Sequence, residues 1–189
     1  LPIQHASDRI LKLMGRRTTR EKLETLIAEL RKAMPDIALR TTLITGFPGE
    51  TEEEHEEILD FIDEMEFDRL GVFTYSREDG TPAARMEGQI DEEVKEARKA
   101  EIMELQQEIS LDRGQARVGQ VVEAVVEGKM ADEDAYVGRT YADAPGVDGY
   151  VFIRTPCDLM SGDFVRVRVT GALEYDLIGE IYDEDEYAE

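Results

Sequence analysis

Three short segments concentrate the polar and glycine-rich chemistry of this chain: Gln4-His5-Ala6-Ser7, Thr45-Gly46-Phe47-Pro48-Gly49-Glu50 and Tyr75-Ser76. Each follows an apolar or β-branched run. Glycine lets the backbone approach a ligand closely, and the first free amides of a following helix suit a carboxylate or phosphate. A Gly/Pro turn ahead of a capped helix is equally an ordinary connection, so the segments alone leave both readings open. Arg40 and Thr42 are two apart in a strand pattern and therefore share a face. An arginine buried there needs an anion, either a ligand carboxylate or a neighbouring acid. Gln4 could donate to and accept from an amino-acid moiety, or tie one loop to the next. His5 is expected to support its neighbours rather than act as a general base, because nothing near it in sequence identifies a proton partner. His55, in an acidic helical turn, is expected to be solvated. Cys157, beside Pro156 and without a CxxC companion, is expected to be incidental.

One cysteine and two histidines among 189 residues argue against an internal disulfide framework and against a Cys-rich metal or cluster site built by this chain alone. The chain carries 44 acidic and 22 basic side chains. They divide as 27 and 16 up to Gln115 and 17 and 6 after it, so each part carries −11. That sign repels phosphate backbones, which makes free nucleic acid an unexpected direct partner. Solubility alone is the other explanation for such acidity. The start, LPIQH, has no initiating Met, basic stretch or apolar segment of signal or membrane-spanning length, so a piece of a longer soluble, cytoplasmic protein with no membrane partner is expected.

The elements that would position these segments follow from periodicity. Thr18 with Glu21 reads as a capping box ahead of an amphipathic helix to Met34, with Leu23, Leu26, Ile27, Leu30 and Met34 on one face. Ile37 to Thr45 reads as a strand, and Thr51 with Glu54 caps a second helix carrying Ile58, Leu59, Phe61, Ile62 and Met65. Arg69 to Tyr75 reads as a strand and Asp91 to Gln115 as a long charged helix. Strand–helix alternation of this length implies parallel strands covered by helices, with ligands at the strands' C-terminal ends. Three such units cannot close a barrel. After Val118 the pattern becomes five short runs (120–126, 135–140, 149–153, 164–170 and 177–181) separated by turn glycines, as in a small antiparallel barrel.

Four stretches, LPIQHASDRILKLM (1–14), RTTLITGFPGET (40–51), DRLGVFTYSREDGTP (68–82) and VGRTYADAPGVDGYVFI (137–153), resemble the radical SAM (S-adenosylmethionine) methylthiotransferase family. GFPGET is shared with its tRNA-modifying members, whereas QHASD and DAPGVDG are similar to those that modify an aspartate of ribosomal small-subunit protein twelve. The resemblance implies an α/β plus all-β fold. Residues 1–115 would be the C-terminal units of a TIM-like β/α barrel, 116–183 a small OB-like TRAM barrel and 184–189 an acidic tail.

It also implies S-adenosylmethionine and two 4Fe-4S clusters as cofactors, one cluster generating a 5'-deoxyadenosyl radical and the other supplying sulfur. A methylthio group is then installed on the aspartate β-carbon. The family's CxxxCxxC motif and N-terminal cysteine triad are absent here, so the chain by itself is expected to hold neither cluster and to be inactive. By the same resemblance Gln4, Arg16, Arg40, Thr42, Gly46 and Phe47 are the candidates for the wall facing S-adenosylmethionine, with no catalytic or metal-binding residue assigned. TRAM domains often bind RNA through a basic surface. The −11 of the stretch after Gln115, barrel and tail together, favours docking of a basic ribosomal protein instead. A tRNA methylthiotransferase fragment and a non-catalytic acidic interaction module are the competing readings.

Overall fold

A computed structural model describes residues 1–131 and 134–183, and the acidic tail expected at 184–189 lies outside the described residues. The chain divides into two compact units, Leu1–Ile109 and Ser110–Glu189.

In the first unit, α1 (Asp8–Leu13) and α2 (Arg20–Ala33) precede β1 (Arg40–Thr45), α3 (Glu52–Met65), β2 (Arg69–Thr74) and α4 (Glu92–Gln115), whose last residues pass into the second unit. β1 and β2 are parallel, in register from Arg40 opposite Arg69 to Thr45 opposite Thr74. The run before Gln4, which would be the strand of the first of the three expected units, contributes only a parallel bridge from Gln4 to Leu43. Thr41, Leu43 and Thr45 are buried, while Arg40, Thr42 and Ile44 point to the opposite face. The core joins Leu43 and Val72 of the strands to Leu23, Ile27, Ile58, Phe61, Ile62 and Ile102 of the helices.

Several expectations need correction here. The cap of α2 is Thr19, whose side chain accepts from the Lys22 amide, and not Thr18. Leu26 and Met34 are exposed, because the buried stripe runs through Leu23 and Ile27 and Met34 lies beyond the last helical turn. The Thr51–Glu54 capping box of α3 is present in full.

The second unit is a closed barrel of β3 (Val121–Lys129), β4 (Ala135–Thr140), β5 (Val151–Arg154), β6 (Phe164–Ala172) and β7 (Leu177–Ile181), in the order β3-β4-β5-β7-β6. It is mixed and not purely antiparallel, because β5 pairs with β7 in parallel. The reason is geometric. Strand direction cannot alternate all the way round a closed ring with an odd number of members, so at least one neighbouring pair must run the same way. Val126, Val151, Ile153, Val167 and Val169 fill the interior. Among the described residues, no helix is long and apolar enough to cross a membrane.

Candidate functional site

The three segments singled out by chemistry lie at the C-terminal ends of β1, β2 and the bridging stretch before α1. The Gln4 amide donates to the Thr42 carbonyl at 3.0 Å, and the Ile44 amide donates to the Gln4 carbonyl at 2.8 Å. Gln4 itself adopts a φ of 74°, a conformation that costs a non-glycine residue energy and that persists where surrounding contacts enforce it.

Glu50 organises the turn after β1. Its carboxylate accepts from the Gly46 amide (2.8 Å), the Phe47 amide (3.2 Å), the Thr45 hydroxyl (3.2 Å) and Arg98 Nη1 (2.8 Å). His5 adds a fifth contact, Nε2 to Glu50 at 3.3 Å. The Ser7 amide donates to His5 Nδ1, so that nitrogen carries no proton, and the hydrogen-bond pattern assigns the ring proton to Nε2, facing Glu50. Burial would raise the Glu50 carboxyl, but hydrogen bonding from His5, the Arg98 charge and the Phe47 amide outweigh it and hold the group below its ordinary range. Gly46, at φ 73°, is required for a second reason: a Cβ there would lie 2.3 Å from Lys95 Cγ.

Glu54 makes a second knot between the same loops. It accepts from the Ser7 hydroxyl, from Arg9 and from the Thr51 amide of its own capping box. Burial pushes its carboxyl up, yet Arg9, the Thr51 amide and Ser7 together hold it low. Arg9 also donates to the Gly49 carbonyl, so the loops after the first two strand positions are tied by side chains from both.

A cavity of about 490 Å³ opens beside this framework. Gln4, Arg16 and Phe47 line it, together with Ile44, Tyr75 and the 81–86 loop. The structure thus brings three of the six candidate wall residues around one space. Arg40 and Thr42 share the face of β1 that carries Ile44 but lie nearer the start of the strand and do not line it, and Gly46 is engaged through its backbone with Glu50. Arg40 is exposed and not buried, which removes the argument for an obligatory anion. Phe73, opposite Ile44 in register, is 63% exposed on that same face of the sheet.

Tyr75 packs edge-on against Phe47, ring centroids 5.4 Å apart, while Lys95 Nζ lies 5.4 Å from its ring centre and donates to its carbonyl. Sequence reasoning missed the roles of Glu50, Arg98 and Tyr75. Glu50 and Tyr75 fall inside the segments identified, but nothing local marks Arg98, 48 positions away from the acid it meets. The solvated position expected for His55 is also wrong: it is 1% exposed and bonded to Glu101 at 2.8 Å, because α4 covers that turn of α3.

The cavity fits part of an adenosyl amino acid in size, in its largely apolar wall and in its few polar groups. An iron–sulfur cluster finds no such fit on this chain. Its single cysteine, Cys157, is exposed in the second unit, and among the described residues no three His, Cys, Asp or Glu side chains are grouped to hold a metal ion.

Comparison with known proteins agrees with this architecture. The Radical SAM superfamily pattern matches residues 1–62 and the TRAM domain pattern residues 118–181. The chain is 59% identical over 179 residues to the ribosomal protein uS12 methylthiotransferase RimO of Lachnoclostridium phytofermentans, covering 95% of this chain and 41% of that protein. It is 55% identical over 181 residues to that of Pelotomaculum thermopropionicum and 51% identical over 184 residues to that of Acetivibrio thermocellus, again covering 41% of each. The chain therefore spans about two-fifths of the length of these relatives. It carries a radical SAM superfamily segment followed by a TRAM domain and, over nearly its whole length, is a close homologue of the RimO-type uS12 methylthiotransferases.

Proposed function

We propose that this chain is part of a radical SAM methylthiotransferase that adds a methylthio group to the β-carbon of an aspartate of ribosomal protein uS12. The observation that carries this reading is the identity of 50–59% to proteins of that name, sustained across both units of the chain. Bound S-adenosylmethionine would supply the hydrogen-abstracting group, and the iron–sulfur clusters would be held by residues outside this chain. Gln4, Arg16 and Phe47 would form one wall of the cofactor cleft, with Phe47 and Ile44 excluding water from it. Glu50, bonded to His5, Arg98 and the turn amides, would hold that wall in place. Arg40, Thr42 and Phe73, on the same face of the sheet as Ile44, would face the interior of a larger barrel.

The small barrel would recruit the substrate. Its unit is strongly acidic and uS12 is expected to be basic, a pairing that speeds encounter and weakens with salt. The direct test is binding of this chain to purified uS12 and to tRNA over a range of ionic strength. Salt-sensitive binding to uS12 with little affinity for tRNA is expected. Tight, salt-sensitive tRNA binding without uS12 binding would replace this reading with a tRNA-modifying one.

A further inference from the structure

The barrel of the second unit gathers most of its exposed apolar side chains at one end. β5 and β7 run parallel, with Val151 opposite Leu177, so the β4–β5 loop (141–150) and the β6–β7 turn (173–176) emerge on the same side. Among the described residues of this unit seven large hydrophobic side chains are exposed, and four of them, Tyr141, Val147, Leu173 and Tyr175, fall in these two stretches. Tyr141 and Val147 stand out furthest, at 69% and 68% exposure. Single exposed apolar residues are ordinary, but a concentration of them marks a surface that another molecule covers.

Hydrogen bonds fix both stretches. The Tyr150 amide donates to Asp176 Oδ1 at 2.7 Å, and the Leu177 amide donates to the Tyr150 carbonyl at 2.8 Å. Where the stretches meet, a Cβ on Gly149 would lie 1.9 Å from the Tyr175 carbonyl oxygen, so only glycine allows so close an approach. Within the loop, Asp143 accepts from the Thr140 amide and hydroxyl, and Asp148 accepts from the Ala144 amide. None of these bonds uses the Val147 side chain, which the loop holds out in water. A loop fixed in advance and bearing aromatic side chains loses little entropy on binding.

Charge at this end selects the partner. The two stretches hold four acids, Asp143, Asp148, Glu174 and Asp176, and no base. Two copies meeting here would set like charges together. The bases of an RNA would stack on the tyrosines, but its phosphates would lie against the carboxylates. A protein segment carrying Lys or Arg suits both features. Its cations pair with the acids and lie over tyrosine rings, and its aliphatic stems cover Val147.

We propose that the β4–β5 loop and the β6–β7 turn form the docking surface of this barrel for a basic protein segment, with Tyr141, Val147 and Tyr175 as apolar anchors and Glu174 among the charges. The proposal rests on the methylthiotransferase reading for the choice of uS12 as the partner, while the chemistry of that partner follows from the surface.

The test measures binding of purified uS12 to the 189-residue chain by calorimetry. Tyr141→Ser combined with Val147→Ser should weaken binding by about tenfold or more, the scale of losing central anchors. Glu174→Lys should weaken it several-fold at low salt and little at high salt. Met160→Ser combined with Phe164→Ser is the control, since both residues are as exposed but precede β6 or begin it, away from the turn that follows its far end. That pair should change affinity by less than about twofold. All these positions are exposed, so the variants should melt with the parent chain, and uS12 should slow amide exchange in 141–150 and 173–176.

Binding of uS12 that the Tyr141 and Val147 pair leaves intact, or that the Met160 and Phe164 pair weakens as much, overturns the docking surface while recruitment of uS12 by this chain stands. Absence of uS12 binding by the parent chain removes both. Binding of tRNA that is lost with the Tyr141 and Val147 pair would make this end an RNA site and overturn the assignment to a protein.

Discussion

Glu50 shows how one fully buried acid can hold a turn that a ligand would meet. Five donors converge on it, and one of them, Arg98, is itself almost completely buried. Removing the acid leaves that guanidinium only the exposed Glu52 as an acidic partner and takes the acceptor from the Gly46 and Phe47 amides, so Glu50→Ala is expected to lower the stability of the first unit by about 3–5 kcal/mol in urea denaturation. The low carboxyl pKa values of Glu50 and Glu54 also set a pH dependence. A group whose folded pKa is depressed contributes its stability above the ordinary value, and that contribution is lost as pH falls through the folded value. Starting from the ordinary glutamate value of 4.5, the urea midpoint should therefore decline as the solution is acidified further. The decline should be smaller in Glu50→Gln, and an equal decline in both proteins would show that this carboxylate is not the group responsible.

Among the elements, the helix starts are decided by which side chain reaches an amide, and sequence spacing alone can mislead by one residue. Thr18 and Glu21 have capping-box spacing, yet Thr19 Oγ1 is the atom that accepts from the Lys22 amide, at 3.4 Å. Asp8 reaches across from α1 to the Arg20 amide at 2.7 Å and settles the chain entry in that register. Thr19→Ala is expected to cost about 1 kcal/mol and Thr18→Ala less than about 0.5 kcal/mol, a difference readable in thermal melts. At α3 the box is complete in both directions, with Glu54 also bonded to Ser7 and Arg9. Thr51→Ala should therefore cost about 1 kcal/mol and reduce amide-exchange protection in the first turn of α3.

Taken whole, the molecule has two hydrophobic cores, one built on Leu43, Phe61 and Ile102 and the other on Val151, Ile153 and Val167. Damage to one is expected to register first in its own unit. Ile153→Ala removes a fully buried side chain and should cost about 2–5 kcal/mol, with hydrogen-exchange protection lost in β4, β5 and β7 before it is lost in β1. Net charge acts at this scale too. At −22, the chain should associate with a basic protein faster at low ionic strength, and raising salt from about 0.05 to 0.5 M should slow association markedly as the screening length shortens.

Local pattern by itself determined the alternation of strand and helix, the switch to short strands near residue 118, and the placing of Gln4, Phe47 and Tyr75 in loops at strand ends. Those features depend on periodicity and turn chemistry, which are written within a few residues. The pairing of Arg98 with Glu50, the burial of His55 beneath α4, the exposure of Arg40 and the gathering of Arg16 and Tyr75 around one cavity were decided only in three dimensions. Each depends on which distant element packs against the residue, and neither spacing nor composition carries that information. The parallel β5–β7 pair belongs to the same class: it follows from closing five strands into a ring, a property of the barrel and not of any one strand.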